Sequence, residues 1–327
     1  MPTDNENTIS APSETGPSNP SRRTLLAGSA GLGLAAAVPA ATAAAQSAET
    51  RSREFTGRSA FVTGGARGIG YATAEALARS GADIMLYDVA GQIEHVKYPL
   101  ATPEDLAKAK ANIEALGVKC IAVQGDVRDG AKQKAAMQEA VSTFGSVDFV
   151  IANAGITQVG PLDIFSEAEI DVVLDVNLAG AMKTLQAAIP IMRAQNAGRI
   201  VLMSSITGRR GSEFFPVYSA SKWGMIGLAK STARLLAKSN VTCNAVCPSL
   251  VRTKLLDNDY ILGTMIPDNP TIEAADAGAK QLHVMPVGLY GPEHVANTVT
   301  FICSDAAAYI SGDVFDIAAG RNTEFPA

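Results

Sequence analysis

The stretch SAFVTGGARGIGYATAEALARS, Ser59–Ser80, decides the fold. Its opening residues are small, apolar or β-branched, as in a short strand buried on both faces. Gly64, Gly68 and Gly70 then space a turn as G-x-x-x-G-x-G, with Arg67 and Ile69 between them, and an amphipathic segment runs from Tyr71 to Ser80. Glycines permit a tight turn and a close backbone approach to a pyrophosphate. The helix start that follows supplies unpaired N–H groups and partial positive charge.

Outward from this unit the alternation repeats. ADIMLYD, KCIAVQGD, VDFVIANAG, GRIVLMSS, VTCNAVCPS and GDVFDIAA read as further strands buried on both faces. Amphipathic segments at Pro103–Leu116, Ala131–Phe144 and Tyr218–Ser239 lie between them. Strand–helix alternation with right-handed crossovers predicts an α/β fold with a doubly wound, seven-stranded parallel sheet and helices on both faces. No break in composition marks a second domain. Ligands on such sheets bind at the carboxyl ends of the strands.

The second strand ends at Asp88. A carboxylate there can accept hydrogen bonds from both hydroxyls of an adenosine ribose and repel a 2′-phosphate, which favours NAD. Arg67 could pair with that phosphate, but the charge of Asp88 would face it directly.

The chain has 327 residues, 47% hydrophobic and 18% charged, with a net charge of -5. That is the profile of a soluble globular protein, with no electrostatic footprint for nucleic acid. The four cysteines and three histidines show no metal-ligand spacing, so no metal site is expected.

The first residues have a different character. Met1–Pro20 are polar and read as disordered. SRRTLLAGSAGLGLAAAVPAATAAA, Ser21–Ala45, has a charged start, a weakly apolar middle and a small-x-small end, the pattern of an export signal. Its glycines and Pro39 make it a poor spanning helix, so no stable membrane span is expected after cleavage. The paired arginines resemble the signal of the twin-arginine pathway, which exports folded proteins. The organisation expected is therefore 1–45 disordered N-terminus and signal, 46–56 linker, and 57–327 catalytic domain. A low-complexity tail and a cytoplasmic protein are the alternative.

VYSASKWG places Tyr218 and Lys222 one turn apart on one helix face. A phenol with a pKa near 10 is a poor acid–base catalyst at neutral pH, and a neighbouring ammonium would lower that pKa. Such a pair suits proton transfer at an alcohol oxygen. Ser205, ending the GRIVLMSS strand, can hold the same oxygen.

After Arg53 the chain resembles the short-chain dehydrogenase/reductase family, whose members have a Rossmann fold. The matches are TGGARGIG, GDV at Gly125–Val127, NAG at Asn153–Gly155, Asn177 in DVNLAG, Ser205, Tyr218-x-x-x-Lys222 and CPSLVRT at Cys247–Thr253. The resemblance implies that Tyr218 is the general acid–base, that Lys222 lowers its pKa and binds the nicotinamide ribose, and that Ser205 positions the substrate oxygen. It implies that Asn177 holds a water linking Lys222 to solvent and that Asp126 and Val127 contact the adenine. Asn153, Ala154 and Gly155 would line the cofactor, as would Pro248, with Val251 and Thr253 at its carboxamide and phosphate. A homodimer or homotetramer is implied as well. Two departures stand out: Ser249 where the family has glycine, and Ala318-Ala319-Gly320 where it has Asp-Gly-Gly.

Between Asp88 and Asp126 the chain is longer than one crossover helix needs, and Thr102 is placed to cap a helix starting at Pro103. KYPLATPEDLAKAKANIEALG and VRTKLLDN resemble the mycofactocin-coupled dehydrogenases. In that subgroup the comparable insertion covers a non-exchanging NAD. Its members oxidise apolar secondary alcohols, including terpenoid ones such as carveol, and pass electrons to an external carrier. The alternative is a surface loop without function.

Leu255–Pro286 falls where the family keeps its substrate lid. Tyr260, Ile261 and Met265, with Phe214 and Phe215, supply apolar surface, and no cluster of Arg or Lys awaits an anion. A hydrophobic, cyclic or aromatic alcohol or ketone fits this lining best; packing of the lid on its own domain would explain the same side chains. Two further readings stand beside NAD-dependent alcohol oxidation. One is a cytoplasmic NADPH-dependent carbonyl or 3-oxoacyl reductase. The other is a nucleotide-sensing protein without activity, a class that tends to lose the Tyr or Lys retained here.

Overall fold

The computed structural model describes residues 53–324; the signal, the N-terminal tail and most of the linker read from the sequence lie outside the described residues. Seven strands, β1 (Ser59–Thr63), β2 (Asp83–Asp88), β3 (Cys120–Gln124), β4 (Phe149–Ala152), β5 (Gly198–Met203), β6 (Val241–Pro248) and β7 (Val314–Ile317), pair in the order β3-β2-β1-β4-β5-β6-β7. Every pairing is parallel. The order reverses at β1, so the carboxyl ends of β1 and β4 diverge and open a crevice.

Alternating side chains along each strand feed two core layers. Ala60, Val62, Ile84 and Leu86 pack with α1 (Gly68–Arg79), α2 (Pro103–Glu114) and α9 (Pro292–Cys303). Phe61, Met85, Val150 and Ile200 face α3 (Gly130–Phe144), α4 (Glu167–Leu174), α5 (Gly180–Gln195) and α6 (Pro216–Leu236). Central strands β1, β4 and β6 are buried throughout, but β3 and β7 are not. As edge strands they have a neighbour on one side only, which corrects the expectation that all seven are covered on both faces.

Two local features carry weight below. A π-helical turn, Asp175–Ala179, joins α4 to α5 and buries Asn177. The stretch 167–195 is long and apolar enough to cross a membrane by composition, yet it packs against α6 within the core. Phe55, at the end of the expected linker, also belongs to the core: its ring lies 4.8 Å from that of Phe149 and its N–H donates to the Ser80 carbonyl.

Residues 89–102 form an irregular segment that ends at Thr102, the N-cap of α2. The Thr102 hydroxyl accepts from the Asp105 N–H at 3.2 Å and the Asp105 carboxylate accepts from the Thr102 N–H at 3.0 Å, a reciprocal capping box. Thr102→Ala should therefore cost about 1 kcal/mol in urea unfolding, while Thr102→Ser stays near the parent.

Candidate active site

Two side chains fasten the crevice. The Thr63 hydroxyl accepts from the N–H groups of Asn153 and Ala154, each at 3.0 Å. The Asn153 amide donates back to the Thr63 and Gly64 carbonyls at 3.0 and 3.2 Å. Against this clasp the glycine turn leaves no room for side chains. A Cβ on Gly64 (φ +66) would lie 2.9 Å from the Ala154 Cα, and one on Gly70 would lie 2.0 Å from the Gly64 carbonyl oxygen. Gly68 (φ +61) faces the Thr253 side chain across the cleft.

The start of α1 fits a dinucleotide phosphate. Its N-cap, Arg67, contributes no side-chain hydrogen bond, and its first turn carries no acid. The opening N–H groups of the helix are thus left to an anion. Asp88 is buried, with Oδ2 accepting from the Ala66 N–H and Oδ1 from the Ala90 N–H, both at 3.0 Å. It joins the glycine turn to the segment after β2. Arg67 points away from that place, its Nη2 donating to the Pro99 carbonyl at 2.7 Å. The Asp126 carboxylate is likewise engaged, paired with Arg128 at 2.7 Å; its pKa is held low by that guanidinium against the pull of burial.

The polar group at the ends of β5 and α6 sits deeper. Lys222 is 3% exposed and its Nζ lies 5.4 Å from the centre of the Tyr218 ring. Nζ donates to the Met203 carbonyl at 2.8 Å, and a Cβ on Gly155 would stand 3.3 Å from it. Burial pushes the Tyr218 phenol up to about 12, opposed by the adjacent Ser205 hydroxyl. Burial also brings the Lys222 ammonium down to about 8. Desolvation is the largest influence on both groups, and the Ser205 hydroxyl provides the lowering on the phenol. Asn177 is saturated by its neighbours, with Oδ1 accepting from the Ile156 N–H at 2.8 Å and Nδ2 donating to the Ile156 carbonyl and the Ser221 hydroxyl. Its side chain fixes the loop after β4 to the π-helical turn.

Residues 89–102 roof the crevice. Ile93, Val96, Tyr98 and Ala101 are buried, and the Tyr98 hydroxyl accepts from the Thr157 N–H at 3.0 Å. Tyr98 stacks on Tyr260 of α7 (Asp259–Met265), with ring centres 6.4 Å apart. Lys97 reaches Glu169 of α4 at 2.6 Å, and the Lys97 ammonium lowers the carboxyl to about 2. The roof is thus tied to the glycine turn through Arg67, to the loop after β4 through Thr157, and to α7 through Tyr260.

Beneath it lies a cleft of about 510 Å³. The walls include Gly64, Arg67, Gly68, Ile69, Asp88, Asp126, Val127, Asn153, Ala154, Gly155, Ser205, Tyr218, Lys222, Pro248, Val251 and Thr253. Phe214, Phe215, Ile261 and Met265 share it. Three residues anticipated at the site stand outside the walls. Gly70 is packed on Gly64, Asn177 is buried behind the loop it holds, and Tyr260 faces Tyr98 and the Val159 backbone. Sequence reasoning missed Ile93, Tyr98 and Leu100, which come from the roof and show neither helical nor strand periodicity. It also missed Arg210 and Arg321. Both arginines come from segments outside the lid.

A uniformly parallel sheet, a glycine-rich helix start at its switch point and a Ser–Tyr–Lys group beside it define a nucleotide-dependent oxidoreductase site. The chain belongs to the short chain dehydrogenase family, whose model matches residues 58–260. It is 36% identical to the (-)-trans-carveol dehydrogenase of Rhodococcus erythropolis, over 81% of this chain and 97% of that one. It is also 36% identical to a 3-oxoacyl-acyl-carrier-protein reductase of Staphylococcus aureus, over 80% and 97%. Among solved structures, carveol dehydrogenase from Mycobacterium avium in complex with NAD superposes with a TM-score of 0.80 at 33% identity, covering 83% of this chain and 99% of that one.

The closeness of Gly70 to Gly64 has a measurable consequence. Gly70→Ala forces the turn to move, so unfolding free energy should fall by about 2 kcal/mol in urea titration, the scale of an overpacked buried site.

Proposed function

We propose that this chain is an NAD-dependent oxidoreductase interconverting an apolar secondary alcohol and its ketone. The observation that carries the reading is the convergence on one cleft of an uncapped glycine-rich helix start, Asp88 and the Ser205–Tyr218–Lys222 group. NAD, when bound, supplies the hydride acceptor, and in reverse its reduced form supplies the donor. The protein's part is to orient the alcohol and to move its proton. As the carbinol C–H and O–H bonds break and the C=O bond forms, the Tyr218 phenolate takes the hydroxyl proton. Ser205 holds the same oxygen by a hydrogen bond. Lys222 sets charge beneath the phenol and the ribose, and Asn177 positions the loop whose Gly155 leaves space for both.

Asp88 supports NAD over NADP, since both its oxygens stay beside the ribose position while Arg67 is spent on Pro99. The NAD complex of the Mycobacterium avium relative supports the same choice. The Staphylococcus aureus relative supports a second reading, reduction of 3-oxoacyl groups with NADPH. The roof favours the first. Fastened at Arg67, Tyr98 and Lys97, it would have to unlatch in three places for a dinucleotide to leave. We take NAD to be retained through many turnovers and reoxidised by an external carrier. The twin-arginine pattern fits a protein folded around its cofactor before export.

Two measurements test this. The purified mature protein, given apolar cyclic alcohols without free nucleotide, should develop the absorbance of reduced nicotinamide. A protein that responds only to added, freely exchanging NAD would remove the retention claim, and equal turnover with NADPH would favour the second reading. Second, the Ser205 hydroxyl lowers the Tyr218 pKa, so Ser205→Ala raises it. The rise of alcohol oxidation with pH, which follows ionisation of the Tyr218 phenol, should therefore move to higher pH in this variant; an unmoved profile would contradict the assignment.

A further inference from the structure

The carboxyl end of β7 leads into a strained turn. Ala319 (φ 48) and Gly320 (φ 84) both enter the left-handed region, which disfavours alanine. The Met285 N–H donates to the Ala319 carbonyl at 2.9 Å, and a Cβ on Gly320 would lie 2.7 Å from that of Val284. This turn is where the chain departs from the Asp-Gly-Gly of its family, and it delivers Arg321 to the cleft wall.

Arg321 is 8% exposed. Among the described residues its Nε has no hydrogen-bond partner, and no carboxylate forms an ion pair with it. Arg210, from the segment after β5, lines the same wall. Burial first, and then the charge of Arg210, hold the Arg321 guanidinium below its usual range, with Glu324 a weaker opposing influence. Asp316, on β7, stands 3.8 Å from Arg209 instead, and Glu213, also on the cleft wall, is exposed. Burying a guanidinium with no carboxylate in ion-pair contact is costly. A carboxylate would offset that cost, because its geometry matches the guanidinium fork.

The place of the pair separates it from the cofactor phosphates. β7 lies four strands from β1, roughly 19 Å at about 4.8 Å per strand. Arg321 therefore belongs to the β7 side of the cleft, where Gly320 meets Val284, rather than to the glycine turn.

We propose that Arg321, with Arg210 beside it, is a carboxylate-binding site, and that the alcohol taken by this cleft is a hydroxy acid with an apolar body and a carboxylate remote from the carbinol. The substrate class rests on the alcohol-oxidising reading above. The anion site does not.

The test compares 4-hydroxycyclohexanecarboxylate with 4-methylcyclohexanol in the parent, Arg321→Gln and Arg321→Lys. The parent should favour the hydroxy acid. In Arg321→Gln, kcat/KM should fall about 100-fold more for the acid than for the neutral alcohol, mostly through KM, with partial recovery in Arg321→Lys. Equal losses on both alcohols would overturn the proposal. A fall of that size in NAD affinity, read by nucleotide fluorescence, would place Arg321 at the cofactor and overturn it too. Cyclohexanecarboxylate, which cannot react, separates the two claims: it should raise the melting temperature of the parent and not of Arg321→Gln. That shift without turnover of either alcohol would remove the alcohol reading and keep the anion site; no shift would remove the site. Should Arg321→Gln fail to fold, Arg210→Gln is read by the same criteria.

Discussion

The clasp between Thr63 and Asn153 is the constraint on which the cleft depends. Where β1 and β4 part, parallel pairing ends and backbone groups of both strands lose their ladder partners. One hydroxyl and one carboxamide take over that bonding and hold the two loops at fixed separation. The glycine turn can then lie against Ala154 without side chains, and the uncapped start of α1 faces the opening. Loosening the clasp would move the phosphate cradle and the floor beneath Lys222 together, because Asn153 and Gly155 belong to one loop.

Burial supplies the second organising influence. It raises the Tyr218 phenol to about 12 and lowers the Lys222 ammonium to about 8, favouring the neutral form of each and moving the two proton affinities apart. It also holds the Cys247 thiol, close to both, neutral by raising it to about 12. The roof extends this dry environment. Tyr98 spans from the loop after β4 to α7, so a segment without regular structure ties the two halves of the cleft together.

Much of this was legible in the sequence because it is local. The strand–turn–helix at Ser59–Ser80, the cap at Thr102, and the single turn between Tyr218 and Lys222 each depend on residues near one another along the chain. The places where reading fell short involve contacts made at a distance. Tyr98 lies in a stretch with no periodicity, and its partners Thr157 and Tyr260 are remote in sequence. Asn177 reads as a motif residue, but its three hydrogen bonds, and its position behind the wall rather than on it, follow from a π-helical turn that no spacing announces. Edge exposure of β3 and β7 depends on strand order, which alternation alone leaves open.

By itself, then, the sequence determined the doubly wound sheet, the glycine-rich helix start and the Ser205, Tyr218 and Lys222 set, since periodicity and short-range spacing encode them. The tertiary structure alone decided which charges meet. It turned Arg67 from a phosphate toward the roof, engaged Asp126 with Arg128, and brought Arg210 and Arg321 to one wall from segments far apart in the chain. The reason is physical: an ionised side chain takes its meaning from its solvation and its nearest counter-charge, and both are set by packing.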